Sequence, residues 1–394
     1  MYIFNPDSDL ALANFNANFT APASACKMRH DLALLPLWYA TCNSSIIAEG
    51  ELNNRFLKEL KSILPISSSL ISFSQLSDYS DSKVKPWGWN PALIKQLVQS
   101  GINEQMLPSM FDVELLRSYS GRQNAMKLLS DLKALNSSFC GESFYYTNID
   151  QLLVYLYNVK SIQVLKMPYS GSGKGLVWTK GEITDKQIDW CKRVINMQGG
   201  IVVEPVLSKV QDFAMEFEMT NTGIQFIGYS LFNSAPSGAY IGNVLLSDSD
   251  IEDRLSAYIE RSLLKKLQSI LKWKLIEYFP HYRGCLGVDM MVCKTDESSY
   301  QLQPCVEVNM RMNMGIVAHR IYESFIHPNS TGIFSINYFK QDGEAQNHAL
   351  TMQSKNPLII EHDRIKSGYL ALTPFDRDTR YVANILIKQN HEEN

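Results

Sequence analysis

Leu302–Gly315 reads LQPCVEVNMRMNMG, and shortly before it Gly284–Cys293 reads GCLGVDMMVC. Both runs are strongly apolar and read as strands, Cys285–Cys293 and Gln301–Asn309, joined by the polar turn Thr295–Ser299. Period-two alternation puts Glu307 and Asn309 on the same face of one strand. Asp289 lies on the strand before it, its expected antiparallel neighbour. Acidic residues on a strand can simply face water, but an unpaired carboxylate inside runs this apolar would be costly. Two carboxylates and an amide oxygen converging from adjacent strands suit magnesium, a hard cation that takes oxygen ligands and retains waters and phosphates. Arg311 follows two residues after Asn309, on the same side if the strand continues, and an arginine beside a metal clamps an anion.

Upstream, Val164–Trp178 reads VLKMPYSGSGKGLVW. A strand ends in Lys166 and enters a loop with Gly171, Gly173 and Gly175. Glycines let a backbone fold tightly over phosphates and aim N–H groups at them, and Lys166 and Lys174 add charge. It is not a Walker loop, because Gly173-Lys174 is followed by Gly175 and Pro168 sits where the first glycine belongs. Alone, the loop reads equally well as a surface hairpin turn or a phosphate cover. A third run, GGIVVEPVL at Gly199–Leu207, is a strand with an acid, Glu204, near its end, and Asp212 follows in DFAMEF. Such a strand end either presents backbone groups to an adenine or faces solvent.

Earlier in the chain, strands and helices alternate. Tyr2–Asn5, Ser45–Ala48 and Leu70–Phe73 read as short strands, Pro22 opens a helix, Glu49–Leu64 has helical spacing, and Asn90-Pro91 starts a helix that Gly101 stops. This rhythm predicts a small parallel sheet. Pro6–Asn14 contains no glycine, which excludes a Gly-rich dinucleotide site after the first strand. Asn5–Asp9 follows that strand, at the edge where α/β sheets bind ligands. It either touches substrate, or Asp7 and Ser8 cap the next helix. Arg122–Leu135 reads as a helix, Thr184 and Gln187 as a capping box, Phe213–Thr220 with Ile224–Leu231 as a hairpin, and Ser249 with Glu252 as the cap of one long helix to about Phe279. After Gln341 the chain is polar, then strand-like at Gly368–Thr373 and Tyr381–Ile387. His319, just past the Glu-x-Asn run, either reaches substrate or, as is commoner, pairs with nearby groups.

A net charge of -3 lacks the basic excess of a nucleic-acid binder. No apolar run approaches the ~20 residues needed to cross a bilayer, and no polybasic segment points to a membrane surface. The seven cysteines are scattered, with no Cys-x-x-Cys pair, so free thiols in a reducing cytoplasm are expected rather than disulfides or a zinc site.

The order of these signals, lysine and Gly-rich loop, apolar strand with acid, Asp strand, Glu-x-Asn strand, resembles the ATP-grasp superfamily over roughly Ser118 to Ile336. Glu307-Val308-Asn309-Met310-Arg311 looks like the Glu-x-Asn-x-Arg signature of biotin-carboxylase-like and carboxylate–amine ligase members. The resemblance implies an α/β (α+β) fold. An N-terminal Rossmann-like pre-ATP-grasp domain (1–117) would precede a two-lobed ATP-grasp domain (118–340), with a lid lobe at about 140–205 and a metal-binding lobe at about 206–340. A C-terminal β-rich extension (341–394) would follow. The implied cofactors are ATP and magnesium, two ions, with manganese as a substitute. By the same match Lys166 contacts the α-phosphate and Ser170, Gly171, Ser172, Gly173, Lys174 and Gly175 form the phosphate lid. Glu204, with Val206 and Leu207, binds the adenine, and Asp212 takes the ribose hydroxyls. Asp289, Glu307 and Asn309 hold the metal ions, and Arg311 steadies an acyl phosphate. The family often carries a lysine shortly before the helix that opens the grasp; that place falls near Arg122 and Gln123, with the register open by one residue, and Arg122 is included among the expected cofactor-binding residues. Asp212 stands where glutamate is usual. The implied activity joins a small-molecule carboxylate to an amine or related nucleophile through an acyl phosphate. A small-molecule kinase and a non-catalytic nucleotide-binding regulator are the alternatives, and a homo-oligomer is left open.

Overall fold

Ser69–Ile71, Ser45–Ile47, Tyr2–Ile3 and Lys85–Pro86 lie side by side in that order as a parallel sheet. The computed structural model describes residues 1–171, 175–235, 237–295 and 299–389. By its internal contacts the chain forms two compact units. The first gathers Met1–Glu114, Ile241–Asp250 and Arg311–Asn394, and the second Leu115–Tyr240 and Ile251–Met310. This partition is drawn differently from the three consecutive segments expected above.

In the first unit the parallel sheet is flanked by helices that start and stop as their sequences direct. Asn90 accepts a hydrogen bond from the Leu93 amide and Pro91 supplies the first turn, so the helix Pro91–Gln99 begins there. It ends before Gly101, whose φ of +100° favours glycine. Helix Glu51–Ile63 buries Leu57 and Leu60. The unit also holds an antiparallel sheet in the order Tyr240–Leu245, Ser330–Tyr338, Tyr381–Gln389, Arg364–Ala371, Ile359–Glu361. Strand Ser330–Tyr338 and helix Glu344–Lys355 were not anticipated from the sequence.

The far ends of the chain are tied together inside this unit. Trp38, 1% exposed, donates its indole N–H to the Leu372 carbonyl at 2.7 Å and meets Phe325 edge-on at 5.1 Å. Asp31, 4% exposed, accepts from the Arg380 and Tyr381 amides at 2.8 and 3.1 Å and from Lys27 at 2.8 Å. These bonds explain why the C-terminal strands pack with the N-terminal part rather than as a separate extension.

In the second unit, Phe144–Tyr146, Ile201–Pro205, Gln163–Lys166 and Leu176–Trp178 form an antiparallel sheet in that order. Helices Ile149–Asn158 and Asp185–Gln198 pack against it through Leu152, Leu156, Cys191 and Val194. Each fully buried leucine there contributes about 1.5–3 kcal/mol. The expected capping box at Thr184 and Gln187 is formed. A second antiparallel sheet runs Tyr300–Asn309, Gly284–Lys294, Lys209–Thr220, Gly223–Ser234. At the expected turn the Thr295 amide donates to the Ser299 carbonyl, and residues 296–298 lie outside the described residues. The single long helix expected to Phe279 is two, Asp248–Ser256 and Arg261–Tyr278. Ile259 turns into the core between them, 4% exposed, and Ser247 rather than Ser249 makes the cap, accepting from the Asp250 amide at 3.1 Å.

All seven cysteines are free thiols. No helix among the described residues is long and apolar enough to cross a membrane.

Burial alone would raise the Asp31 carboxyl, but hydrogen bonds from His30, Lys27 and the two amides outweigh it and hold the pKa below the ordinary 3.8. A depressed carboxylate stabilises the fold above its unfolded pKa and loses that contribution as pH falls through the folded value. Asp31→Asn is therefore expected to cost about 1–3 kcal/mol at pH 7. The deficit should shrink as pH drops below the ordinary value. Urea unfolding at pH 7 and near pH 3 checks this, and an equal deficit at both would remove the charge from the account.

Candidate functional site

Antiparallel register decides which side chains meet on the second sheet. Asp289 lies directly opposite Glu307 on one side and Ala214 on the other, and Gly287 lies opposite Asn309 and Glu216. Directly opposed residues share a face, so Asp289, Glu307, Asn309, Glu216 and, opposite Met291, Asp212 all point the same way. The Asn309 amide donates to Asp289 Oδ2 at 3.0 Å. Among the described residues no group of three His, Cys, Asp or Glu forms a metal cage. Two carboxylates and an amide nevertheless fit a magnesium ion, which keeps waters and phosphates in its shell instead of a full set of protein ligands.

Arg122 joins this face to the Gly-rich loop. It is 7% exposed and opens the helix Arg122–Leu135. Its Nη2 donates to Glu307 Oε1 at 2.8 Å, and its Nη1 to the Met167 carbonyl at 2.6 Å and to Ser170 Oγ at 2.7 Å. The Arg122 backbone amide donates to the Pro168 carbonyl at 3.1 Å. One guanidinium thus holds the start of the loop and a carboxylate of the opposite strand together. Gly175 ends the loop at φ +75°, its carbonyl accepting from the Met167 amide at 3.0 Å. An added Cβ there would stand 2.9 Å from Met167 Sδ. The expected lid residues Ser172, Gly173 and Lys174 lie outside the described residues, while Ser170 and Gly171 lie beside the Arg122 anchor.

Lys166 and Glu204 are both 7% exposed and pair at 2.5 Å across neighbouring strands. Ser143 Oγ donates to the other Glu204 oxygen at 3.1 Å. Removing one partner of so buried a pair leaves an uncompensated charge, at a cost of about 3–5 kcal/mol. Val206 and Leu207 follow the strand end, and the Val206 amide is bonded to the Ile162 carbonyl at 3.0 Å. Asp212 is held by Lys209 and Ser234, each at 2.5 Å.

Cys305, two residues before Glu307 on the same strand, is fully enclosed. Burial pushes its thiol pKa well up, the carboxylates of Glu204, Asp289 and Glu307 push it further, and Lys166 opposes them. Charges from both sheets of the unit therefore surround this thiol. Neither Cys305 nor Glu216 was singled out in the sequence. Their signal was available, because each stands an even number of residues from a selected acid on its own strand, Glu216 from Asp212 and Cys305 from Glu307.

Arg311 belongs to the first unit. Its Nε and Nη2 grip both carboxylate oxygens of Asp9 at 2.7 Å each. His319 Nδ1 stands 3.6 Å from Asp248 Oδ1, within ion-pair distance but beyond hydrogen-bond reach. Burial lowers its pKa, with Asp248 and Glu323 opposing.

No protein-family profile matches the chain, and no curated protein does. Among solved structures, the chain is similar to N5-carboxyaminoimidazole synthetase from Staphylococcus aureus. The TM-score is 0.50 at 11% identity, over 89% of this chain and 94% of that one. It is equally similar to biotin carboxylase from Campylobacter jejuni in its beta-gamma-ATP complex, with a TM-score of 0.50 at 11% identity over 89% and 88%. At such identity the likeness concerns the fold alone, a mixed α/β architecture with a parallel-sheet N-terminal part.

Proposed function

We propose that this protein is an ATP- and magnesium-dependent ligase that activates a small-molecule carboxylate as an acyl phosphate and passes it to an amine or related nucleophile. The observation that carries the proposal is the register setting Asp289, Glu307 and Asn309 on one face, with Arg122 bonded both to Glu307 and to the rim of the Gly-rich loop. The fold shared with N5-carboxyaminoimidazole synthetase and with biotin carboxylase, the latter in its beta-gamma-ATP complex, supports it.

In this reading Asp289, Glu307 and Asn309 hold two magnesium ions, with manganese able to substitute. Bound there, the metal would neutralise charge on the phosphate oxygens. Lys166 meets the α-phosphate, drawn from its ion pair with Glu204, and Glu204 with the Val206–Leu207 backbone receives the adenine. Asp212 exchanges Ser234 for the ribose hydroxyls. Ser170–Gly175 covers the phosphates and excludes water, without which an acyl phosphate would hydrolyse. Arg122 keeps the loop registered on the metal face. Arg311 steadies the acyl phosphate and the oxyanion that follows, its planar fork held by Asp9.

Glu307→Gln preserves shape and removes a ligand charge. ADP release, screened over pairs of acids and amines, is expected to fall by about 10–100-fold, and because Gln can still accept from the buried Arg122 while no longer balancing its charge, stability should fall by about 1–3 kcal/mol without loss of the fold. Turnover like that of the unmodified protein at limiting magnesium would defeat the metal assignment. The same screen read by phosphate analysis separates the chemistries: a ligase frees phosphate, whereas a stable phosphorylated product would mark a kinase.

Lys166→Met alone should destabilise the protein by about 3–5 kcal/mol, because Glu204 is left buried and unpaired. Lys166→Met with Glu204→Gln should recover most of that loss, yet still bind a non-hydrolysable ATP analogue far more weakly than the unmodified protein. Unfolding curves and calorimetry report the two effects separately. A stable double variant with undiminished nucleotide affinity would take both residues out of the site.

A further inference from the structure

Each carboxylate on the proposed metal face already holds a donor. The Asn309 amide donates to Asp289 Oδ2 at 3.0 Å, and Arg122 Nη2 donates to Glu307 Oε1 at 2.8 Å. The two donors differ in charge. Asn309 is neutral, and its amide oxygen is itself a ligand of the kind magnesium accepts. Arg122 is a full cation whose side chain is 7% exposed, against 26% for Glu307. A dication on Glu307 Oε1 would take the position the guanidinium holds, and like charges so close in a poorly hydrated site repel strongly.

The other acceptors around Arg122 are neutral. Its Nη1 donates to the Met167 carbonyl at 2.6 Å and to Ser170 Oγ at 2.7 Å, and its Nη2 reaches the Ser170 carbonyl at 3.3 Å. Among the described residues Glu307 is the one carboxylate paired with this guanidinium. It is held by a single bond from one nitrogen, whereas Arg311 grips Asp9 by two. A metal ion that took Glu307 by itself would leave the buried guanidinium with carbonyl and hydroxyl acceptors alone, and a buried charge without its counter-ion is costly. When phosphate arrives with the metal, its anionic oxygens offer the guanidinium a replacement that arginine accepts readily. The same side chain is bonded to the rim of the loop read as the phosphate cover, so the exchange needs no long movement.

We propose that Arg122 is a resident counter-ion of the metal site, competing with the metal for Glu307, so that a divalent ion is held there only together with a phosphate-bearing nucleotide. The role goes beyond registering the loop. Arg122 balances Glu307 while the site is free, and transfers its grip from Glu307 to phosphate when the ion enters. The inference rests on the reading of Asp289, Glu307 and Asn309 as metal ligands. Its consequence is that nucleotide and metal bind as a pair, each raising the affinity for the other by the same factor, while the face stays closed to free divalent cations.

Manganese is the probe, its unbound fraction read by electron paramagnetic resonance in solutions of the full chain, without nucleotide and with saturating ADP. Arg122→Gln keeps a neutral donor and removes the charge. Without nucleotide, Arg122→Gln is expected to hold manganese at least about tenfold more tightly than the unmodified protein, because one charge-assisted bond no longer competes with the ion. The gain should vanish when Glu307→Gln is added to Arg122→Gln. In calorimetry, the strengthening of ADP binding by manganese should be at least about tenfold greater for the unmodified protein than for Arg122→Gln. A merely structural anchor would lower metal affinity when removed, not raise it. Equal or weaker manganese binding by a folded Arg122→Gln, or a gain that survives Glu307→Gln, overturns the proposal. Arg122 is buried, so unfolding curves check the variant first. If it does not fold, the unmodified protein decides, and manganese held as tightly without ADP as with it overturns the proposal while the metal reading stands. Failure of every form to hold manganese, ADP included, overturns the metal reading and the proposal with it.

Discussion

A slip of one residue between strands Gly284–Lys294 and Tyr300–Asn309 would turn Glu307 and Asn309 to the opposite face from Asp289. The observed register, Asp289 against Glu307, is the constraint on which the candidate site depends. It is enforced from both sides. Leu286, Val288, Met290 and Val292 alternate with the polar positions and are 0–1% exposed. The slip would expose that apolar set while burying carboxylates among hydrocarbon. The same alternation that drives folding therefore also aims the acids.

Burying charge imposes a second condition, that each charged group find a partner. Lys166 finds Glu204, and Arg122 finds Glu307 together with the Met167 carbonyl and Ser170. These pairs hold strand ends and the loop rim in place without a ligand. Under the proposed function the same groups exchange protein partners for phosphate, adenine or metal, which limits the reorganisation binding requires. In the first unit Asp7 pairs with Arg29 at 3.7 Å, and its enclosed Oδ1 accepts no hydrogen bond among the described residues.

The first unit is closed by contacts very distant in sequence. The Trp38 indole reaches Leu372 and the Asp31 carboxylate reaches residues 380 and 381. Pairings of such separation are entropically late in folding, so the N-terminal part completes its core only when the C-terminal strands arrive. The consequence for function is positional. Asn5, Asp7 and Asp9 sit on the exit of a short strand whose unit is completed from the other end of the chain, and Asp9 is gripped by Arg311 from that far segment.

Much of this was legible locally. Helix Arg122–Leu135, the Thr184 box, the Asn90-Pro91 start and the shared face of Glu307 and Asn309 follow from helical or period-two spacing and from side chains bonding amides a few residues away. The order of lysine, Gly-rich loop and Glu-x-Asn run carried the fold. Local spacing could not show that Glu216 joins the acidic face, because that depends on register between strands some seventy residues apart. Nor could it show that Arg122 would bond Glu307, that the expected long helix would break where Ile259 turns inward, or that the tail would pack with Asp31 and Trp38. Spacing along a chain sets which side chains share an element's face. Only tertiary packing sets which faces meet, and the need to pair each buried charge selects among those meetings.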